Sequence, residues 1–95
     1  MGFVAICIEF ELVEVIGTLA RYRYGSCLRE LDGIFEVDVP KLLSGETSKD
    51  APMDEVVRLL PSKLMSQPMA NRAFGKIYKY YSANGEYPVK GGYYA

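Results

Sequence analysis

Polar and apolar residues alternate through much of the first forty positions. Ile8, Phe10 and Leu12 are separated by Glu9 and Glu11. Between Thr18 and Tyr24, Tyr22 and Tyr24 fall on one side and Arg21 and Arg23 on the other. Phe35, Val37 and Val39 then alternate with Glu36 and Asp38. A period of two is that of a strand with one face buried. The branched residues Val4, Ile6, Ile8, Val13 and Val15 extend the first run to residues Phe3–Val15. Gly17 marks a turn. A hairpin centred near Ile16 would set Glu11 against Arg21 and Glu9 against Arg23, with Phe10 on Tyr22 and Ile8 on Tyr24. A one-residue shift would put arginines against the apolar row. Opposite charges across a ladder contribute only about 0.2–1 kcal/mol per pair, so they speak to register more than to stability.

Asp32-Gly33 is a two-residue hairpin signal between the arms Cys27–Leu31 and Ile34–Val39, and Pro40 ends the second arm. The spacing predicts a three-stranded meander, or four short strands if Gly25-Ser26 breaks it.

Beyond Pro40 the pattern changes. Residues 41–50 are polar and include Gly45, Thr47 and Ser48, which predicts a surface loop with a short turn at Lys41–Leu43. Asp50 can cap a helix that opens with Ala51-Pro52, carries Asp54 and Glu55 in its first turn, and buries Val56, Leu59 and Leu60 before Pro61. A second helix starts at Ser66–Pro68. Ala70, Ala73, Phe74, Ile77, Tyr78 and Tyr81 form its apolar stripe, and Asn84-Gly85 supplies a left-handed end. Pro88 forbids resumption, and Val89–Ala95 is an edge strand or a loose tail.

The expected fold is α+β within one domain of 95 residues. It has a three- to four-stranded antiparallel sheet over about 3–39 and a loop over 40–50. Two helices, over about 51–60 and 67–83, pack on one face, and a tail covers 84–95.

Charge is unevenly distributed. Residues 1–60 hold eleven acids and six bases, and residues 61–95 hold one acid, Glu86, and five bases. Six of the eight tyrosines lie between Tyr78 and Tyr94. Tyrosine pairs a rigid apolar body with a polar tip, which suits surfaces buried on binding. Arg72, Lys76, Lys79, Tyr80, Tyr87, Tyr93 and Tyr94 are therefore the candidate partner-binding residues.

Catalytic and metal-binding signals are absent. The chain has no histidine, which removes serine–histidine and cysteine–histidine arrangements and most zinc sites. It has no phosphate-binding glycine motif. Glu9 and Glu11 share a strand face with Arg21 and Arg23, which would keep the carboxylates charged, the reverse of what a general acid needs. Asp32, Glu36 and Asp38 lack EF-hand spacing. No catalytic residue, metal or cofactor is expected.

Cys7 and Cys27 have no metal spacing. Two reduced thiols in a cytoplasmic protein are the expectation, with one Cys7–Cys27 bridge in a secreted protein as the alternative. No run of about 20 apolar residues occurs, so no membrane span is expected. Met1-Gly2 resembles an acylation signal, but Ile6 stands where Ser or Thr is needed.

The functional expectation is a small non-enzymatic protein-binding module, in character like inhibitors and immunity proteins. The alternative is nucleic-acid binding through the basic face of the 68–83 helix, which the sequence pI of 5.4 disfavours. A carboxylate-dependent enzyme ranks third. The first strand, if it lies at an edge, would also let two copies pair, so a homodimer and a monomer both fit.

Overall fold

The computed structural model describes residues 6–94, so the predicted strand start at Phe3–Ala5 lies outside the described residues. Five antiparallel strands form one sheet. In chain order they are β1 (Cys7–Ile16), β2 (Leu19–Ser26), β3 (Gly33–Val37), β4 (Arg58–Leu60) and β5 (Lys90–Tyr94). Their order across the sheet is β4-β3-β2-β1-β5. Helices α1 (Val39–Ser44) and α2 (Met53–Val56) lie between β3 and β4, and α3 (Gln67–Asn84) lies between β4 and β5. The architecture is α+β with an N-terminal meander, as the alternation predicts, with one or two strands more than expected.

The core lies between one sheet face and α3. Ile8, Phe10, Tyr22, Tyr24, Phe35 and Val37 from the strands are buried with Ala70, Ala73, Phe74 and Ile77 from the helix. Aromatic rings run across the sheet: Phe10 meets Tyr22 edge-on at 5.6 Å, and Tyr22 stacks on Phe35 at 5.7 Å. The helix ends where the local signals place it. The Ser66 side chain accepts from the Met69 N–H, and Gly85 takes φ 74°.

The first hairpin departs from the expected register by two residues. Phe10 faces Tyr24, Glu11 faces Arg23 and Leu12 faces Tyr22, with an irregularity between Leu12 and Glu14. The turn is made by Gly17-Thr18, where Gly17 adopts φ 64°, and not around Ile16. The two-residue slip keeps Ile8 to Leu12 on their predicted faces, and the irregularity beyond Leu12 brings Glu14 opposite Arg21.

Asp32-Gly33 does not form the expected hairpin. Residues 27–32 are a connection, not a strand arm, and β2 reaches β3 directly with Tyr24 opposite Gly33. Gly33 serves packing instead, because a Cβ there would overlap the Tyr24 ring. The connection folds back over β2, where a Cβ on Gly25 would lie 2.7 Å from the Glu30 carbonyl oxygen. Cys7 and Cys27 are joined by a disulfide across the start of β1, with Cα atoms 5.4 Å apart. The expected pair of thiols is thus replaced by the bridged alternative.

The expected 51–60 helix is a single turn, α2, with no side-chain cap, followed by a strand. β4 pairs with β3, setting Arg58 opposite Glu36 and Leu59 opposite Phe35. The apolar spacing of Val56, Leu59 and Leu60 fits either element, and the otherwise unpaired edge of β3 decides for the strand. Within the expected loop, Pro40 opens α1, which Asp38 caps by accepting from the Lys41 N–H at 3.1 Å. The tail forms β5 against β1, from Cys7–Tyr94 to Glu11–Lys90. β1 is therefore not an edge strand along Cys7–Glu11, contrary to the condition for pairing two copies there. No helix among the described residues is long and apolar enough to cross a membrane.

Candidate protein-binding surface

Helix α3 buries Ala70, Ala73, Phe74 and Ile77 and turns Arg72, Lys76, Lys79 and Tyr80 outward. Their spacing of i, i+4, i+7 and i+8 stacks them in one stripe. All four are exposed, Tyr80 at 43%. The helix contains no Asp or Glu. Among the described residues, Arg72, Lys76 and Lys79 pair with no carboxylate, whereas all three sheet arginines do. Arg21 bridges Glu14 at 3.0 Å and Glu36 at 2.9 Å, Arg58 bridges Glu36 at 2.9 Å, and Arg23 bridges Glu11.

The predicted tyrosines separate into three environments. Tyr93 lies opposite Ile8 on the α3 side of the sheet, and the Lys76 ammonium stands 5.9 Å from its ring centre. This is within cation–π range and joins β5 to the helix stripe. Tyr94 points to the other sheet face, exposed, and lies along β5 over Gly92. Tyr87 works inside the fold. Its hydroxyl donates to the Thr18 carbonyl at 2.6 Å and accepts the Val39 N–H at 2.9 Å, while its ring packs on Tyr81 at 4.9 Å. Burial pushes the Tyr87 phenol up to about 12. The structure thus brings together Arg72, Lys76, Lys79, Tyr80 and Tyr93, and leaves Tyr87 and Tyr94 apart from them.

The sheet face away from α3 carries the ion pairs. The row Glu14–Arg21–Glu36–Arg58 alternates in sign across β1, β2, β3 and β4. Glu36 is 6% exposed, and the hydrogen bond from Arg21, aided by Arg58, holds its carboxyl below the usual range. Beside this row a cleft of about 590 Å³ is bordered by Glu9, Glu11, Arg29, Leu31, Lys90 and Tyr94. Glu9 has Gly25 and Gly92 as its neighbours across the strands, and the space above these two glycines is taken by Glu30-Leu31 and by the Tyr94 ring. The sequence shows these glycines but not that they flank one residue. Glu11 is engaged by Arg23, and Glu36 by two arginines that stabilise its carboxylate in the charged form. Asp38 is occupied by Lys41 and by the Thr18 hydroxyl, 2.8 Å away. Among the described residues no group of three or more Cys, Asp or Glu is placed to hold a metal ion. In comparisons with known proteins, no family model, curated protein or solved structure matches this chain.

Proposed function

We propose that this chain is a non-enzymatic protein-binding module that offers the outer stripe of α3, with Tyr93 beside it, to an acidic protein partner. One observation carries the reading: the sheet arginines are neutralised within the fold, while the α3 cations among the described residues have no carboxylate partner. Unpaired cations beside aromatic rings favour an acidic surface and steer its approach. Tyr80 and Tyr93 add apolar area to the same patch. A bridged Cys7–Cys27 pair fits an oxidising compartment better than the cytoplasm, where thiols are kept reduced.

The test compares the tagged wild-type chain with the Arg72→Glu/Lys76→Glu/Lys79→Glu variant as bait, with and without nuclease. The expected result is an acidic protein retained by wild type, unaffected by nuclease, and held at least about tenfold more weakly by an equally folded variant. Unchanged retention by the variant would sink the proposal. Recovery that nuclease abolishes would transfer the same stripe to nucleic acid.

A further inference from the structure

Residues Ser26–Arg29 form a β-turn directly after β2. The Arg29 N–H donates to the Ser26 carbonyl at 3.2 Å, and Leu28, the third residue, adopts φ 64°. Cys27 has no positive φ, so the turn has the type II pattern, whose third position favours glycine. A Cβ there crowds the backbone, and a γ-branched chain relieves none of that crowding. Leu28 is the one non-glycine residue with positive φ among the described residues, and it is 100% exposed. Two local preferences therefore oppose leucine: the backbone favours glycine, and water favours a polar side chain. No core contact offsets either one. A residue that breaks local rules without gain to the fold points to function.

The surroundings supply a direction. The Cys7–Cys27 bridge ties the turn to β1, which restricts its motion before any partner arrives. A depression beside the bridge is bordered by Cys7, Ser26, Cys27 and Met69. Met69 lies three residues before Arg72 on α3, so the turn stands next to the N-terminal end of the basic stripe. The stripe from Arg72 to Tyr80 covers only about 12 Å of helix axis, short for a standard interface, so a further anchor beside it is needed.

We infer that Leu28 is an apolar anchor, presented on a disulfide-held turn, that inserts into an apolar pocket of the acidic partner. The pocket takes an isobutyl group and is rimmed by carboxylates that meet Arg72. This inference rests on the reading of α3 as the protein-binding face.

Wild type, Leu28→Gly, Leu28→Asn and the triple α3 charge variant are titrated against the purified acidic protein that wild type retains, and each is melted. Glycine and asparagine both accept the left-handed conformation. Leu28→Gly is expected to melt at the wild-type temperature or up to about 5 °C higher. Both Leu28 variants are expected to bind about tenfold more weakly or worse. Wild-type affinity in the Leu28 variants, with loss in the charge variant, overturns the anchor and leaves the α3 reading standing. A lower melting temperature for Leu28→Gly also overturns it, because leucine would then serve the fold. No change in any variant, or no protein retained by wild type, overturns both.

Discussion

The Tyr24 hydroxyl accepts the Ser66 N–H at 2.9 Å and donates to the Ser66 carbonyl at 3.3 Å, fastening the residue that caps α3 to the middle of the sheet. Tyr22, two residues earlier on the same face, donates to the Pro88 carbonyl at 2.6 Å, just past the other end of the helix. Two positions on the same face of β2 therefore tie down both ends of the element that carries the candidate surface. Each ring is buried and each hydroxyl is paired, which avoids the cost of an unsatisfied polar group in the core.

Tyr24→Phe keeps the ring and strands the Ser66 N–H, while the Ser66 carbonyl still accepts the Ala70 N–H at 3.0 Å. It is expected to lower unfolding free energy by about 1–3 kcal/mol, and Tyr22→Phe by a similar amount. The two losses should add to within about 0.5 kcal/mol in urea melts, because their partners lie at opposite ends of α3. Wild-type stability in either variant would show that the hydroxyl is not holding the helix.

Alkaline pH should loosen the fold late. Burial, the largest cause in each case, raises the phenols of Tyr22, Tyr24 and Tyr87, the last to about 12. The unfolded value is about 10, so the folded state retains protons that the unfolded state has lost. Stability is fully present below about pH 10 and falls as pH rises towards 12. Urea melts at several pH values, followed alongside phenolate absorbance, check this. Stability that is flat to pH 12 would contradict it.

Glu36 responds in the opposite sense. Arg21 and then Arg58 lower its carboxyl, so its contribution is present above the ordinary carboxylate range and is lost as pH falls through the folded value. Glu36→Gln is expected to cost about 1–3 kcal/mol at neutral pH, since it leaves two guanidinium groups without their shared carboxylate. It should also flatten the acid limb of stability against pH, measured from pH 7 downwards.

Two glycines should behave oppositely on replacement by alanine. A Cβ on Gly91 would lie 2.7 Å from Phe10 Cζ, and Gly91→Ala is expected to destabilise by about 1–3 kcal/mol. Gly75 is mid-helix with nothing within 4 Å, and Gly75→Ala should stabilise by about 0.5–1 kcal/mol. Denaturant midpoints of the two variants give both signs directly.

Replacing Cys7 and Cys27 by serine should lower stability by about 3 kcal/mol, the chain-entropy value for a loop of this length. The bridged residues are 20 apart in sequence. A thiol assay in denaturant is expected to find no free thiol in the oxidised chain. Two thiols per chain would show that the pair is unbridged.

The basic stripe of the candidate surface was legible because Arg72, Lys76, Lys79 and Tyr80 are related by the period of one helix. The tyrosines were not, because their fates depend on remote partners. Tyr87 is drawn inward by Thr18 and Val39, and Tyr93 and Tyr94 separate only once the tail becomes a strand beside β1. Leu28 gave no signal, since its φ follows from how residues 27–32 close over β2.

Local chemistry determined the alternating strands, their buried faces, and the start and end of α3. Strand periodicity, the Ser66 cap and the Gly85 end each operate within a few residues. Only the tertiary structure decided the hairpin register, the exchange of a helix for β4, the docking of β5 and the Cys7–Cys27 bridge. Each of these compares pairings between distant parts of the chain. A two-residue slip satisfies the same alternation, and Leu59 and Leu60 fit a helix or a strand equally well. The choice falls to the partner that is available: Glu36 for Arg58, and β1 for the tail.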